Sequence, residues 1–518
     1  MVKRLVLAFV LCIPAAAAAQ SETFVVRLGT DVIAQETFTR NASRLEGELS
    51  GGAFPQRMNY LLELTAGKPT TMRLDVTPNG SDTATVRVTM QFAGDSVFVQ
   101  QTRAGVPQPE QRLATQAGAM PFINLSFALS ELVMAGVKRA VGDSLTAPLF
   151  VVGNGATMSA RVKWIAADSA LMTLGGVELR MHLDARGRIL HATVPSQNVT
   201  IERVAGTLSR AAHEAPDYSA PAGAAYSAEN VSIKTPAGHT LAGTLTLPKS
   251  RTGRVPAVIT ITGSGPQDRD EALTGMRGYR PFRQIAESLA ARGVAVLRYD
   301  DRGYGGSTGV HGVATSLDFA QDARAALTWL RARPEIDAAR VFLLGHSEGG
   351  LIAPLVAAED TTLAGIVVLA GPAYVGRRIL EYQTRHGLDL QAGKTPAERD
   401  SLFRVTMQSL DSAMTQQPWL GFFATHDPLP VVRRVRVPVL IIHGATDRQV
   451  TADQAEILAR ELRSSGNTDV ALHVLPEVNH LFLKDPLGHA QGYSALPSRT
   501  VVPELLQMVA DWIAKHSK

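Results

Sequence analysis

Cysteine is almost absent: of 518 residues only Cys12 carries a thiol. It sits in an N-terminal stretch that reads as a cleavable export signal, with Lys3-Arg4, then an apolar run over residues 5–13, then small residues at 15–19. Cleavage is expected after Ala19, and the chain beyond it has no cysteine, which excludes disulfides, thiol catalysis and thiolate metal sites. An export signal without disulfides fits a bacterial periplasm or a secreted protein. Long hydrophobic runs are missing too. The apolar run ends at Pro14, far short of the roughly 20 residues needed to cross a bilayer, so no membrane span is expected in the mature form.

Charge of one sign is also lacking. Losing the leader takes two of the 51 basic residues and none of the 47 acidic ones, so the formal charge falls from +4 to +2. Lys and Arg are scattered apart from Arg433-Arg434-Val435-Arg436, too short a run for a nucleic-acid stripe, so no nucleic-acid partner is expected. There is no H-E-x-x-H, no P-loop and no EF-hand pattern, which argues against a metal or a nucleotide. No cofactor is expected.

What is present falls into two halves. Residues 20–210 are written mostly in short alternating runs such as Phe24-Val25-Val26-Arg27-Leu28, punctuated by turn residues as at Pro78-Asn79-Gly80. This predicts an antiparallel, meander-like β domain with one helix over residues 121–136, which starts at a proline and ends at a glycine. The lone His182 and His191 sit in strand-like segments and carry no chemistry. Residues 211–228, rich in Ala and Pro, are the expected linker.

From residue 229 to 518 buried-type apolar runs alternate with amphipathic stretches. Strands are expected at 231–234, 241–247, 257–262, 294–299, 341–345, 364–370, 437–443 and 470–475, with helices at about 282–291, 317–332, 349–358, 452–463 and 502–514. This is an α/β pattern, a mostly parallel sheet covered by helices on both faces. A long insertion over about 374–436 separates the sixth and seventh strands. It is expected to form a helical lid, with Tyr382, Trp419, Phe422 and Phe423 supplying a substrate pocket.

Gly345-His346-Ser347-Glu348-Gly349 matches G-x-S-x-G between a buried strand and a helix, where glycines permit the tight turn that lifts a serine above the sheet edge. Gly305-Gly306-Ser307-Thr308-Gly309 matches the same letters but follows a polar loop, so Ser307 is read as structural. A serine hydroxyl needs a base and an acid that orients it. Asp447 and His480 lie just past predicted strands, in the chain order this fold requires. His443, His473 and His489 are the rival bases, the first two within strands. An oxyanion needs two N–H groups, one from Glu348 and the other from Ser264 or Gly265, since Pro266 has none.

Residues 228–518 resemble a bacterial α/β-hydrolase. The combination of Gly263-Ser264-Gly265-Pro266-Gln267-Asp268-Arg269-Asp270, Asp300-Asp301-Arg302-Gly303-Tyr304-Gly305-Gly306-Ser307 and Gly345-His346-Ser347-Glu348-Gly349-Gly350 is similar to that of the EstD-like carboxylesterases. That resemblance implies a β-rich domain ahead of the α/β-hydrolase fold and a small-molecule ester substrate with a short acyl chain. The alternatives are a serine aminopeptidase-type peptidase, with Glu348 as a candidate to hold the free amine, or another acyl hydrolase. A reading from a different class makes the β domain a binder of glycan or envelope material and the hydrolase secondary.

Overall fold

The computed structural model describes residues 21–518 apart from 30, 52–55, 79–81, 104, 135–139, 154, 175–176, 207–215 and 392. The expected export signal, residues 1–19, lies outside the described residues.

The first half is the meander its alternation predicts. Sixteen strands form one sheet, each neighbouring pair antiparallel except Met120–Phe122, which runs parallel to Ser144–Val151. The first strand, Glu22–Leu28, lies between Asp31–Arg40 and the last, Val199–Ala205. Apolar residues at every second position bury one face, with Phe24, Leu45, Leu62, Phe150 and Trp164 almost inaccessible. The helix is shorter than expected, Phe127–Met134. Pro121 belongs instead to the strand that pairs with Leu149–Val151, and Leu125, at φ +67°, breaks the chain direction before the helix begins. Gly136 lies outside the described residues. The helix start is capped from another strand: the buried Glu36 carboxylate accepts from the N–H groups of Phe127 (2.7 Å) and Ala128 (2.9 Å), from Tyr60 Oη (2.6 Å) and from the Ser126 hydroxyl.

The second half carries eight strands: β1 (Tyr226–Lys234), β2 (Thr240–Pro248), β3 (Val255–Ile261), β4 (Ala295–Tyr299), β5 (Ile336–His346), β6 (Gly365–Leu369), β7 (Val439–Gly444) and β8 (Val470–Leu475). Their order is β1-β2-β4-β3-β5-β6-β7-β8, and all pairs are parallel except the two made by β2. β3 to β7 are buried along almost their whole length, because α1 (Pro281–Ala290) and α9 (Pro503–His516) cover one face while α2 (Ser316–Arg331), α3 (Gly349–Ala357) and α8 (Asp453–Ser464) cover the other. Residues 226–228, expected in the linker, are strand, with Tyr226 paired to Pro248. The insertion between β6 and β7 is helical, comprising α4 (Gly376–Asp389), α5 (Pro396–Gln416), α6 (Pro418–Thr425) and α7 (Leu429–Val432).

Candidate active site

β5 is buried from Val341 to His346 and turns into α3 at Ser347. The turn is tight enough to force Ser347 to φ +53°, a left-handed conformation uncommon for a residue with a side chain. Its flanking glycines are obligatory: a Cβ on Gly345 would overlap the carbonyl of Gly349, and one on Gly349 the carbonyl of Ile261. The serine lines a cavity of about 440 Å³ at the carboxyl edge of the sheet. Ser307 is elsewhere and fully engaged, donating to the Asp300 carbonyl (2.7 Å) and accepting from the Ala242 N–H (2.9 Å).

Asp447 follows β7, and its Oδ1 is fixed by the N–H groups of Gln449 (2.8 Å) and Val450 (2.9 Å). Its Oδ2 meets His480 Nδ1 at 2.7 Å, and His480 lines the same cavity as Ser347. His443, one of the rival bases, is buried beside Asp447 with Nε2 3.2 Å from Oδ2 and 2.8 Å from the Val450 carbonyl, and does not line the cavity. Burial alone would raise the Asp447 carboxyl, but His480 and His443 hold it well below the ordinary aspartate value. In acid the unfolded chain therefore takes up the proton first. The stability this group contributes is complete above the ordinary value of 3.8 and is lost as the pH falls through the depressed folded value. Urea midpoints measured from pH 6 downwards should drop below about pH 4, and less steeply in Asp447→Asn.

The loop after β3 supplies the remaining polar groups. Glu271, at φ +56°, accepts from the Gly263 N–H (2.8 Å), which removes that donor from the cavity. Ser264 lines the cavity, whereas Gly265, at φ +87°, turns away and lines a separate small cavity with Tyr299, Asp301 and Phe319. Of the two candidate loop donors, Ser264 is thus the one brought to Ser347. The loop is held by the second motif. Arg269 pairs through two nitrogens with Asp300 (2.8 and 2.9 Å), and Asp301 accepts from Thr262 Oγ1 (2.7 Å) and the Gln267 N–H (2.9 Å). Burial pushes the Asp301 carboxyl well up; the Thr262 and Gln267 bonds work against that, and the nearby Glu348 and Glu271 charges add to it.

Sequence reasoning missed Glu271 and the role of His346, although His346 lies inside the nucleophile motif. Its Nδ1 is 2.9 Å from Glu271 Oε1 and its Nε2 2.9 Å from the His480 carbonyl. The ring thereby ties the oxyanion loop to the segment that carries His480. Burial opposes its charge most strongly, but the Glu271 carboxylate, the His480 carbonyl and Asp447 together outweigh it and raise the pKa.

Of the four lid aromatics, Trp419 and Phe423 line the cavity, one helical turn apart and stacked with ring centroids 5.3 Å apart. Tyr382 and Phe422 do not. Each is rotated about 100° around its helix from a cavity-lining neighbour, Gln383 or Phe423, and stacks instead on His386 or His426. Among the described residues no group of three or more His, Cys, Asp or Glu side chains is arranged to hold a metal ion, and no helix is long and apolar enough to cross a membrane.

A family described as serine aminopeptidase, S33, matches residues 278–487, a stretch that contains Ser347, Asp447 and His480. Esterase EstD of Thermotoga maritima is 29% identical over 330 residues, 61% of this chain and 76% of that protein. An uncharacterized peptidase, YtmA of Bacillus subtilis, is 28% identical over 188 residues, 36% of this chain and 63% of that protein. Among solved structures, the Pyrococcus furiosus esterase Pf2001 is 18% identical with a TM-score of 0.43, over 58% of this chain and 96% of that one. The sheet order and the strained serine between strand and helix give an α/β-hydrolase fold with the site of a serine hydrolase, similar over 278–487 to the serine aminopeptidase family, behind a β-rich sheet.

Proposed function

We propose that the protein hydrolyses uncharged carboxylic esters with short acyl chains through an acyl-enzyme on Ser347, after export to the periplasm or beyond. The observation that carries this reading is the state of Glu348, the carboxylate beside the nucleophile. It already accepts from Ser316 and Trp419 and is not free to receive a substrate's ammonium group, while Glu271, which accepts from Gly263 and His346 through Oε1, keeps its Oε2 buried. The rest of the wall is largely apolar, with Leu273, Ile379, Leu380, Phe423 and Leu481.

In the proposed reaction Ser347 Oγ attacks the ester carbonyl as His480 takes its proton and Asp447 holds the imidazole. The N–H groups of Glu348 and Ser264 receive the oxyanion. His480 then gives the proton to the departing alcohol, and next takes one from the water that releases the acid. The lysine-arginine pair, apolar run and small residues at the N-terminus support export.

A second reading, an aminopeptidase, is favoured by the description of the matching family. It requires an amine to displace Trp419 from Glu348 or to reach the buried Oε2 of Glu271. Fluorophosphonate labelling followed by a panel of acyl esters and aminoacyl amides, on wild type and Ser347→Ala, decides between them: faster cleavage of amides than of esters would overturn the ester reading. A separate expectation concerns the lid. Trp419→Ala enlarges the pocket and should move the preferred acyl chain towards longer esters; an unchanged chain-length profile would show that the indole does not bound the acyl site.

A further inference from the structure

Glu348 follows the nucleophile, and its side chain joins three separate parts of the molecule. Oε1 accepts from Ser316 Oγ at the start of α2 (2.6 Å) and from Trp419 Nε1 of α6 (2.8 Å), while Oε2 accepts from the same indole at 2.9 Å. Ser264 lies on the wall of the same cavity. The carboxylate belongs to a residue only 2% exposed, whereas Trp419 is half-buried and sits on the insertion, on a helix that packs against α4, α5 and α2.

Ser264 and Glu348 are the same two residues whose N–H groups face the oxyanion in the proposed reaction. Among the described residues neither N–H donates to another protein group. Ser316 and Ser264 are fixed to the body of the domain. Were the Trp419 bonds broken, the buried carboxylate would keep Ser316 as its donor.

We propose that Glu348 is a positioning residue through which lid closure is felt at the oxyanion hole: docking of the Trp419 indole on its carboxylate sets the Ser264 and Glu348 peptides in their working geometry. The proposal rests on the acyl-enzyme reading above. Turnover is then tied to the closed lid, when the acyl-enzyme is sheltered, rather than to the mere presence of Ser347, Asp447 and His480.

The test uses the full-length protein and p-nitrophenyl acetate. Trp419→Phe removes the N–H and keeps a ring that stacks on Phe423; Glu348→Gln keeps the shape of the side chain without its charge and leaves the lid sequence intact. Each variant is expected to lower kcat about tenfold with KM within about twofold, a modest share of what a lost oxyanion donor costs. The double variant should be no slower than the slower single, because both remove the same coupling. A change confined to KM would make Trp419 an ordinary pocket wall, and losses that multiply in the double variant would make the two residues independent; either result overturns the proposal. Should Trp419→Phe fold poorly, the kcat-against-KM split in Glu348→Gln decides alone. Ser347→Ala keeps the two readings apart: turnover persisting there overturns the acyl-enzyme assignment, whereas independent effects at Trp419 and Glu348 overturn the latch with that assignment intact.

Discussion

Ser347→Ala is expected to lower kcat for every ester the wild type cleaves by about 10⁴- to 10⁶-fold, with the fold and thermal unfolding hardly changed. Ser307, which matches the same motif, cannot substitute: it lies outside the cavity and is bonded to the Asp300 carbonyl and the Ala242 N–H. His480→Ala should cost a similar factor, and the double variant little more, since groups that act as one unit do not contribute additively. Initial-rate assays at high enzyme concentration, with circular dichroism as the check on folding, measure this. Residual turnover above about one per cent in either single variant would remove the residue concerned from the proposed role.

Asp300→Ala is expected to destabilise the protein by about 3–5 kcal/mol. The side chain is almost completely buried and accepts from Arg269 Nε and Nη2, the Arg269 N–H at 2.8 Å and the Gly306 N–H at 2.9 Å. Its removal strands the Arg269 guanidinium, itself buried, with Thr244 Oγ1 (2.8 Å) and the face of Tyr218 as its remaining partners. The Arg269–Asp300 pair also joins the loop that carries Ser264 to the loop after β4, so activity should fall along with stability. Asp300→Asn, which keeps the acceptor for one of these donors, should lose less of both. Urea unfolding followed by fluorescence gives the free energy, and a cost below about 1 kcal/mol for the alanine variant would show that solvent reaches Arg269 without penalty.

The fold was readable because its signals are periodic. Continuous apolar strands and amphipathic helices placed the eight strands of the second half within a few residues, and alternation identified the meander of the first. The helix over 121–136 misled because proline fits a strand edge as well as a helix start, and the partner strand is some 25 residues away in sequence. The site divides in the same manner. Ser347, Asp447 and His480 announce themselves by position after strands, since the fold delivers strand ends to one edge. Glu271 and His346 are matched through space, and a glutamate eight residues past a glycine carries no local mark of that pairing. The lid aromatics were placed in the right segment, but which of them turn inward depends on helix rotation: a step of one residue separates Phe423, inside, from Phe422, outside.

The first strand of the β-rich domain has a consequence for how the chain is made. Glu22–Leu28 lies mid-sheet, and Thr23 Oγ1 reaches the Gly206 carbonyl, 183 positions away. Hairpins on either side can close as they emerge during translation, but this central seam waits until almost the whole domain has left the ribosome. Such non-local closure is slow. Until it happens, the amino-terminal strand, paired on one side with Asp31–Arg40, presents an open edge on the other, and a chaperone that holds extended apolar segments would find its binding site there.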